Sequence, residues 1–502
     1  MQVKMKRHYI YIGISITVLS VISCNKWLDI VPEDTTVERQ LFNDAGGYHS
    51  AINGLYQEMA SPDLYGENLT WGFASALSQY YDNNSVSNTL KFSYTEKYEY
   101  DSDEVKAFGE QIWQKAYNII ANSNNILKHL ETQDMSIFPR YEFGEADVIK
   151  GEALAIRAMM HFELLRLFSV APVTDMNAKA IPYVSVFPAI FSDRLTNKEV
   201  LEKIVSDLEE SSRLLAKNDT LIMLNNIAST DNRFSASNSR DFGLFFMSRG
   251  FRMNYFAVVA LLARVNAYAG DIDKAYEWAK IIDSFAAGGR NFFKYTKDGF
   301  SPSDLETTRP HKLMDEILIG LYRENLVLEY SKVAVLSNVT NTYKLKNISY
   351  LFPDNDDYRK IKFVKDVSRD VKISSKYLQV TESSKLKESE NRTLPVMRLS
   401  EIYFIMAEYL AKSGNVKDAV NLLTKLRTAR GCLVNKLDEN MSEADFYKAL
   451  GGEILRENVA EGQYFFYCKR IDAPTINNGG VNVQMKGKYT LLIPDSQTVL
   501  NQ

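Results

Sequence analysis

Between Gly151 and Phe168 the apolar side chains fall at Leu154, Ala158, Phe162, Leu165 and Phe168. Steps of three and four place them on one stripe of a helix, and Pro172 closes the segment. The same period predicts helices over Glu38 to Met59, Phe108 to Leu130, Asn197 to Leu215, Tyr255 to Tyr268, Ile272 to Phe285, Glu401 to Lys412, Lys417 to Thr428 and Glu443 to Glu461. Strand signals are short and few, the best being Glu316 to Leu321 and Tyr489 to Ile493. The pattern predicts a mainly α chain.

Two of the predicted helix pairs repeat one another. Ala263, Gly270, Asp271, Ile272 and Ala275 in one are matched by Ala407, Gly414, Asn415, Val416 and Ala419 in the other. Both read as helix, glycine turn, helix: the small residues let the helices approach and the glycine supplies a turn with positive φ. These are hairpins of the tetratricopeptide type. The copies lie far apart in sequence, so a helical scaffold interrupted by long loop insertions fits better than a contiguous solenoid.

The amino terminus has a separate pattern. Lys4, Lys6 and Arg7 precede an uncharged run from Tyr9 to Ile22, which ends in Val21-Ile22-Ser23-Cys24. This predicts a lipoprotein signal peptide over residues 1–23 and acylation of Cys24. The competing reading is an uncleaved anchor helix, but about fourteen apolar residues fall short of the ~20 that a bilayer core requires. Each buried lipid methylene contributes ~0.8 kcal/mol, so several acyl chains hold a globular body firmly to a membrane.

Of the 502 residues, 45% are hydrophobic and 24% charged, with a formal net charge of −4. That balance suits a large buried core and offers nothing for nucleic acid. No Pro- or Gly/Ser-rich linker divides the chain, so residues 24–502 are expected to form one domain with insertions. Beyond Cys24 only Cys432 and Cys468 occur, and His8, His49, His129, His161 and His311 are scattered. Neither set has metal-ligand or triad spacing and no phosphate-cradling glycine loop appears, so no metal and no cofactor is predicted. Twenty-nine tyrosines exceed what a helical core needs, which places some of them on the surface.

Several segments in order resemble the SusD/RagB family. Cys24-Asn25-Lys26-Trp27-Leu28-Asp29-Ile30-Val31-Pro32 is similar to its mature start, and Ala51-Ile52-Asn53-Gly54-Leu55-Tyr56 to its first scaffold helix. Trp113-Gln114-Lys115-Ala116-Tyr117, the Asn-rich Asn122 to Asn125, and Gly151 to Ala158 leading to Phe168 continue the likeness. Leu394 to Tyr403 with Ala407-Glu408, then Leu455-Arg456-Glu457, Glu461-Gly462 and Lys469-Arg470, complete it across nearly the whole mature chain. The chain departs from the family at Tyr467-Cys468 and in a short tail. The resemblance implies a tetratricopeptide-like scaffold anchored in the outer membrane through lipid on Cys24 and facing the exterior. It also implies a non-catalytic role, capturing ligand above a SusC-like TonB-dependent transporter.

Glu152 with Arg157, Arg398 with Glu401 and Glu408, and Glu453, Arg456, Glu457 and Glu461 resemble glycosidase carboxylates only superficially. Their helical steps describe ion-pair and cap networks rather than an acid and a nucleophile held across a cleft. For ligand capture the informative stretch is Trp71 to Asp101, polar, aromatic and poor in helical pattern. Tyr80, Tyr81, Asp82, Asn83, Tyr94, Tyr98 and Tyr100 there, with Tyr295 beside Asn291-Phe292-Phe293-Lys294 and with Tyr322 and Arg323, are the candidate ligand residues. Flat rings stack on sugar faces while Asp and Asn bond hydroxyls, so a glycan is the expected ligand. The same rings also suit a protein interface or the attachment of insertions to the scaffold. Peptide capture, a lipoprotein hydrolase and an assembly adaptor are the other function classes in view.

Overall fold

The structure, a computed structural model, describes residues 40–82, 91–189, 192–235, 243–286, 290–296, 311–334, 343–368, 371–381, 387–477 and 482–495. The signal segment, Cys24 and Asn83 lie outside the described residues. The chain divides into two compact units, residues 1–48 and 49–502. The first is described only from residue 40, where a turn leads into helix α1, Ala45–Met59.

The second unit is built from helices. After α1 come α2, Asp103–Thr132; α3, Glu145–Phe168; α4, Asn197–Lys217; and the hairpin α5, Tyr255–Ala269, with α6, Ile272–Ala286. A short α7, Leu326–Ala334, precedes the second hairpin, α8, Leu399–Lys412, with α9, Val416–Ala429. Then follow α10, Glu443–Glu457, and α11, Tyr464–Arg470. The starts are written in the sequence. Ser102, Asn254 and Ser442 each accept a hydrogen bond from a first-turn amide, and Thr196 with Glu199 forms a capping box at α4.

Both repeated hairpins form where the pattern places them. Gly270 and Gly414 turn with φ of 87° and 83°, conformations that a side chain disfavours. Ala263, Ala275, Ala407 and Ala419 are buried between the paired helices, and Tyr276 of α6 stacks on Tyr409 of α8 at 3.9 Å.

Helix α3 differs from its expected single stripe, because it is buried on nearly every side. It lies between α2 and α4, so its polar side chains Glu152, Arg157, His161, Glu163 and Arg166 are buried as well. Burial of that kind requires a hydrogen-bond partner for each, and each has one.

Among the described residues strands come as four two-stranded antiparallel pairs. The central pair joins β3, Ile317–Tyr322, to β6, Thr393–Arg398, with Ile317 opposite Arg398 and Tyr322 opposite Thr393. The others are β1, Lys179–Pro182, with β2, Arg194–Thr196; β4, Val364–Ser368, with β5, Val371–Ser374; and β7, Thr475–Ile476, with β8, Val483–Gln484. The strand expected at Tyr489 to Ile493 does not form. Tyr489 and Leu491 do face inward, but the Leu491 amide bonds the Leu167 carbonyl at the end of α3 instead of a strand.

Close approach of α3 and α4 depends on Gly151, where an added Cβ would come within 2.9 Å of the Leu215 Cγ. Gly151→Ala is expected to lower stability by about 1–3 kcal/mol, as overpacking does. At Gly54 in α1 nothing stands within 4 Å of such a Cβ. Gly54→Ala is expected to raise stability by about 0.5–1 kcal/mol through helix propensity. Urea unfolding of the two variants checks the pair, and equal midpoints would contradict this packing.

Candidate functional site

A cavity of about 980 Å³ opens between α2, α3 and α4. The helical period supplies its walls: Asn124, Lys128 and Glu131 recur on one face of α2, and Asp147, Lys150, Leu154 and Arg157 on one face of α3. Leu214 and Lys217 close α4, followed by Asn218 and Ile222. Phe143 and the loop Ser185-Val186-Phe187 complete the lining.

Arg157 organises the floor. Its Nε and Nη2 each donate at 2.7 Å to the two oxygens of Asp207, and its Nη1 donates to Asn124 Oδ1 at 2.8 Å. Burial opposes its charge, but the hydrogen bonds and charge of Asp207 outweigh that and raise its pKa. Asn124 Nδ2 in turn donates to the Val184 carbonyl at 3.0 Å, and Tyr183 donates to Asp207, so the loop 183–187 is pinned to α2 and α4. At the other end Asn218 Nδ2 donates to the Phe143 carbonyl at 2.7 Å. That bond fixes the amide's orientation and leaves the buried Asn218 Oδ1 with no partner among the described residues. Lys128 Nζ lies 5.6 Å above the Phe187 ring.

His161 lies beneath the same loop. Its Nδ1 donates to the Arg157 carbonyl at 2.9 Å while its Nε2 accepts from the Val184 amide at 3.0 Å, an arrangement that only the neutral ring satisfies. Burial accordingly lowers its pKa from 6.5 to about 3. The ring stacks on Tyr183 at 3.9 Å.

The aromatic candidates read from the sequence are placed differently. Tyr80 is fully buried and donates to the Leu455 carbonyl at 2.6 Å; Tyr81 is buried and donates to the Trp71 carbonyl. Tyr98 donates to the Leu77 carbonyl at 2.7 Å, and Tyr100 to that of Lys488. Asp82 pairs with Lys344 at 3.0 Å. Tyr295 is buried beneath the Arg430 guanidinium, 5.3 Å from its ring. Phe292 and Phe293 are buried and Arg323 pairs with Glu329, whereas Tyr322 is exposed. In the early insertion Tyr94 is 44% exposed, with the Lys97 ammonium 5.6 Å over its ring. These residues do not meet at one surface, and none of them lines the cavity. Its own polar floor had one sequence signal: Asn124 and Arg157 interrupt otherwise apolar stripes.

Residues 26–229 match the family model described as SusD-like, starch-binding associating with outer membrane. A putative sugar binding protein from Bacteroides vulgatus is 22% identical with a TM-score of 0.66, over 91% of this chain and 96% of that one. A SusD superfamily protein from Bacteroides thetaiotaomicron is 20% identical with a TM-score of 0.67, over 91% and 98%. A SusD-like carbohydrate binding protein from Bacteroides vulgatus is 18% identical with a TM-score of 0.63, over 91% and 96%. Residues 26–229 are thus similar to the SusD-like family, and over the whole chain the likeness to these structures is one of fold. No curated relative matches it.

Most of the conspicuous carboxylates are held by arginines from other elements. Arg157 does not meet Glu152; Glu152 accepts from Arg249 and, at 2.8 Å, from Arg252. Arg398 does not meet Glu401 or Glu408 but pairs with Glu457 at 2.6 Å and Glu461 at 2.8 Å. Glu401 pairs with Arg264, and Glu408 with Arg470. Glu453 and Arg456, 2.8 Å apart on α10, keep the expected pairing along a helix, whereas Glu152, Glu401, Glu408 and Glu461 are paired between elements. Burial works against ionisation of Glu152, Glu453 and Glu457, yet the surrounding arginines win and all three are held below the usual carboxylate range. A glycosidase acid needs the opposite shift. Among the described residues no group of three or more His, Cys, Asp or Glu is arranged to hold a metal ion.

Two measurements follow from this geometry. Glu457→Gln leaves Arg398, Arg430 and Arg359 facing a neutral amide in a buried site, and is expected to cost about 3–5 kcal/mol in urea unfolding. For His161, whose folded pKa is depressed, the unfolded chain binds the extra proton below pH 6.5. Stability should therefore fall on acidification from pH 6.5 by about 1 kcal/mol per pH unit, and His161→Gln should remove that slope. Matching slopes in the two proteins would show that His161 does not carry the effect.

Proposed function

We propose that this protein captures carbohydrate at the cell surface and passes it to a SusC-like TonB-dependent transporter. The observation that carries the reading is the cavity between α2, α3 and α4. Its volume of about 980 Å³ lies at the upper end of the range for small-molecule sites and suits an oligosaccharide better than one sugar. Phe143 and Phe187 line it with rings, as sugar binding needs, while Lys128, Glu131, Asp147 and Lys150 line it with groups able to bond hydroxyls. The sugar-binding and carbohydrate-binding descriptions of the similar structures support the same ligand class. The early insertion enters this reading through the exposed Tyr94, with Tyr80, Tyr81, Asp82, Tyr98, Tyr100 and Tyr295 fixing the insertions.

Anchoring belongs to the same proposal. No helix of the described residues is long and apolar enough to cross a membrane. Residues 1–23 would direct export, acylated Cys24 would hold residues 24–502 on the outer membrane, and the binding body would face outward. The arginine-held carboxylates favour binding over hydrolysis.

Affinity electrophoresis of the full chain in non-ionic detergent, through a panel of polysaccharides, tests the proposal. Retardation by a glycan, weakened about tenfold in Phe187→Ala as loss of one stacking ring predicts, supports the cavity. Retardation lost instead in Tyr94→Ala would move the site to the early insertion. No retardation, with calorimetric heat from oligopeptides, would replace carbohydrate by peptide; silence in both would favour an assembly adaptor.

A further inference from the structure

The walls of the large cavity carry a balance of charge that narrows what it takes. Its lining holds three exposed lysines, Lys128, Lys150 and Lys217, and three exposed carboxylates, Glu131, Glu142 and Asp147. Lys128 and Glu131 lie about one turn apart on α2, and so do Asp147 and Lys150 on α3, so each helix presents both signs to the same space. An ionic ligand meets attraction and repulsion together there, and solvent screens both.

Arg157, 8% exposed, is the buried cation of the lining. Every nitrogen of its guanidinium is engaged: Nε and Nη2 on the two oxygens of Asp207, and Nη1 on Asn124 Oδ1 and, at 3.5 Å, on the Ser185 carbonyl. The two-pronged pairing matches Arg157 in charge as well as in geometry. The floor therefore has hydrogen-bond direction but no net charge. Asp207, on α4 and outside the lining, also accepts from Tyr183, at the start of the loop that carries Ser185, Val186 and Phe187 into the cavity. One carboxylate thus sets both the charge of the floor and the seat of the loop.

We infer that the large cavity takes uncharged glycan, and that Asp207 is the positioning residue that sets this preference by neutralising Arg157 and holding the loop 183–187. The inference rests on the reading of this cavity as the carbohydrate site and adds the class of sugar. A neutral sugar gains from the rings and hydroxyl-bonding groups of the lining without giving up the hydration of a charge. A uronate carboxylate leaves water for a floor whose cation is already paired, past carboxylates that oppose it.

Calorimetry on the full chain in non-ionic detergent tests this, with neutral hexasaccharides of glucose, xylose and mannose against hexamers of galacturonate and mannuronate, at about 50 and about 500 mM NaCl. The expected result is heat from a neutral hexamer, with a Kd that moves less than about twofold between the two salt concentrations, and acidic hexamers at least about tenfold weaker. Asp207→Asn leaves the Arg157 charge unmatched. It should tighten an acidic hexamer about tenfold, the worth of one charge-assisted hydrogen bond, while weakening the neutral one. Loss of structure alone weakens both sets and cannot produce that gain. An acidic hexamer bound as tightly as the neutral ones by the unaltered protein, or neutral binding that collapses at high salt, would overturn the inference and leave the carbohydrate site standing. An unchanged preference in folded Asp207→Asn protein would overturn the role of Asp207. Silence toward both sets would overturn the carbohydrate reading and this inference with it. The salt dependence of the unaltered protein decides the matter even where the variant does not fold.

Discussion

Glu457 is the point on which the carboxy-terminal half turns. Its carboxylate, fully buried, receives Arg398 from the end of β6, Arg430 from the end of α9 and Arg359 from the short helix Tyr358–Lys362. Arg430 also grips Glu316 at the foot of β3 at 2.7 Å, and Arg359 pairs with Asp357 and Glu453 at 2.8 Å each. Lys376 and Arg398 share Glu461. Taking so many charges out of water costs several kcal/mol per ion, and an apolar core of the same shape would often be as stable. What the network supplies is selectivity: each arginine has partners that only one arrangement of these distant segments satisfies.

The amino-terminal half has its own version. Arg249 lies buried between Glu152 and Asp219, Arg252 adds a second cation to Glu152, and Tyr56 donates to the same carboxylate at 2.9 Å. Because α3 is enclosed by neighbours, its polar residues act as rivets: Glu152 toward 249–252, Arg157 toward α4, Arg166 toward Gln463. The large cavity lies on one flank of this riveted helix, against Asp147, Lys150, Leu154 and Arg157.

The helices were legible because apolar spacing survives in each of them, and the two glycine turns because no other residue takes their φ without cost. The pairing of charges was not legible. Arg157 and Glu152 stand at a spacing that describes neighbours on one helix, yet Arg157 reaches Asp207 and Glu152 reaches Arg249 across the fold. Which tyrosines reach the surface was not legible either. Tyr94, Tyr322 and Tyr350 do, but a phenol is buried at little cost once its hydroxyl meets a carbonyl, as those of Tyr80, Tyr98, Tyr330 and Tyr377 do. At Tyr489 to Ile493 the alternation was real, but sequence does not reveal that the partner is a helix end.

The position of His161 connects fold and binding. Its neutral ring holds the Val184 amide and the Arg157 carbonyl, and thus one end of the loop that carries Ser185, Val186 and Phe187 into the large cavity. A protonated ring has no acceptor for Val184, and it would bring a cation against Arg157, which already supplies the floor. Protonation therefore opposes the loop's seat from both sides. Phe187 is carried on that loop, so loss of the seat displaces a ring that lines the large cavity.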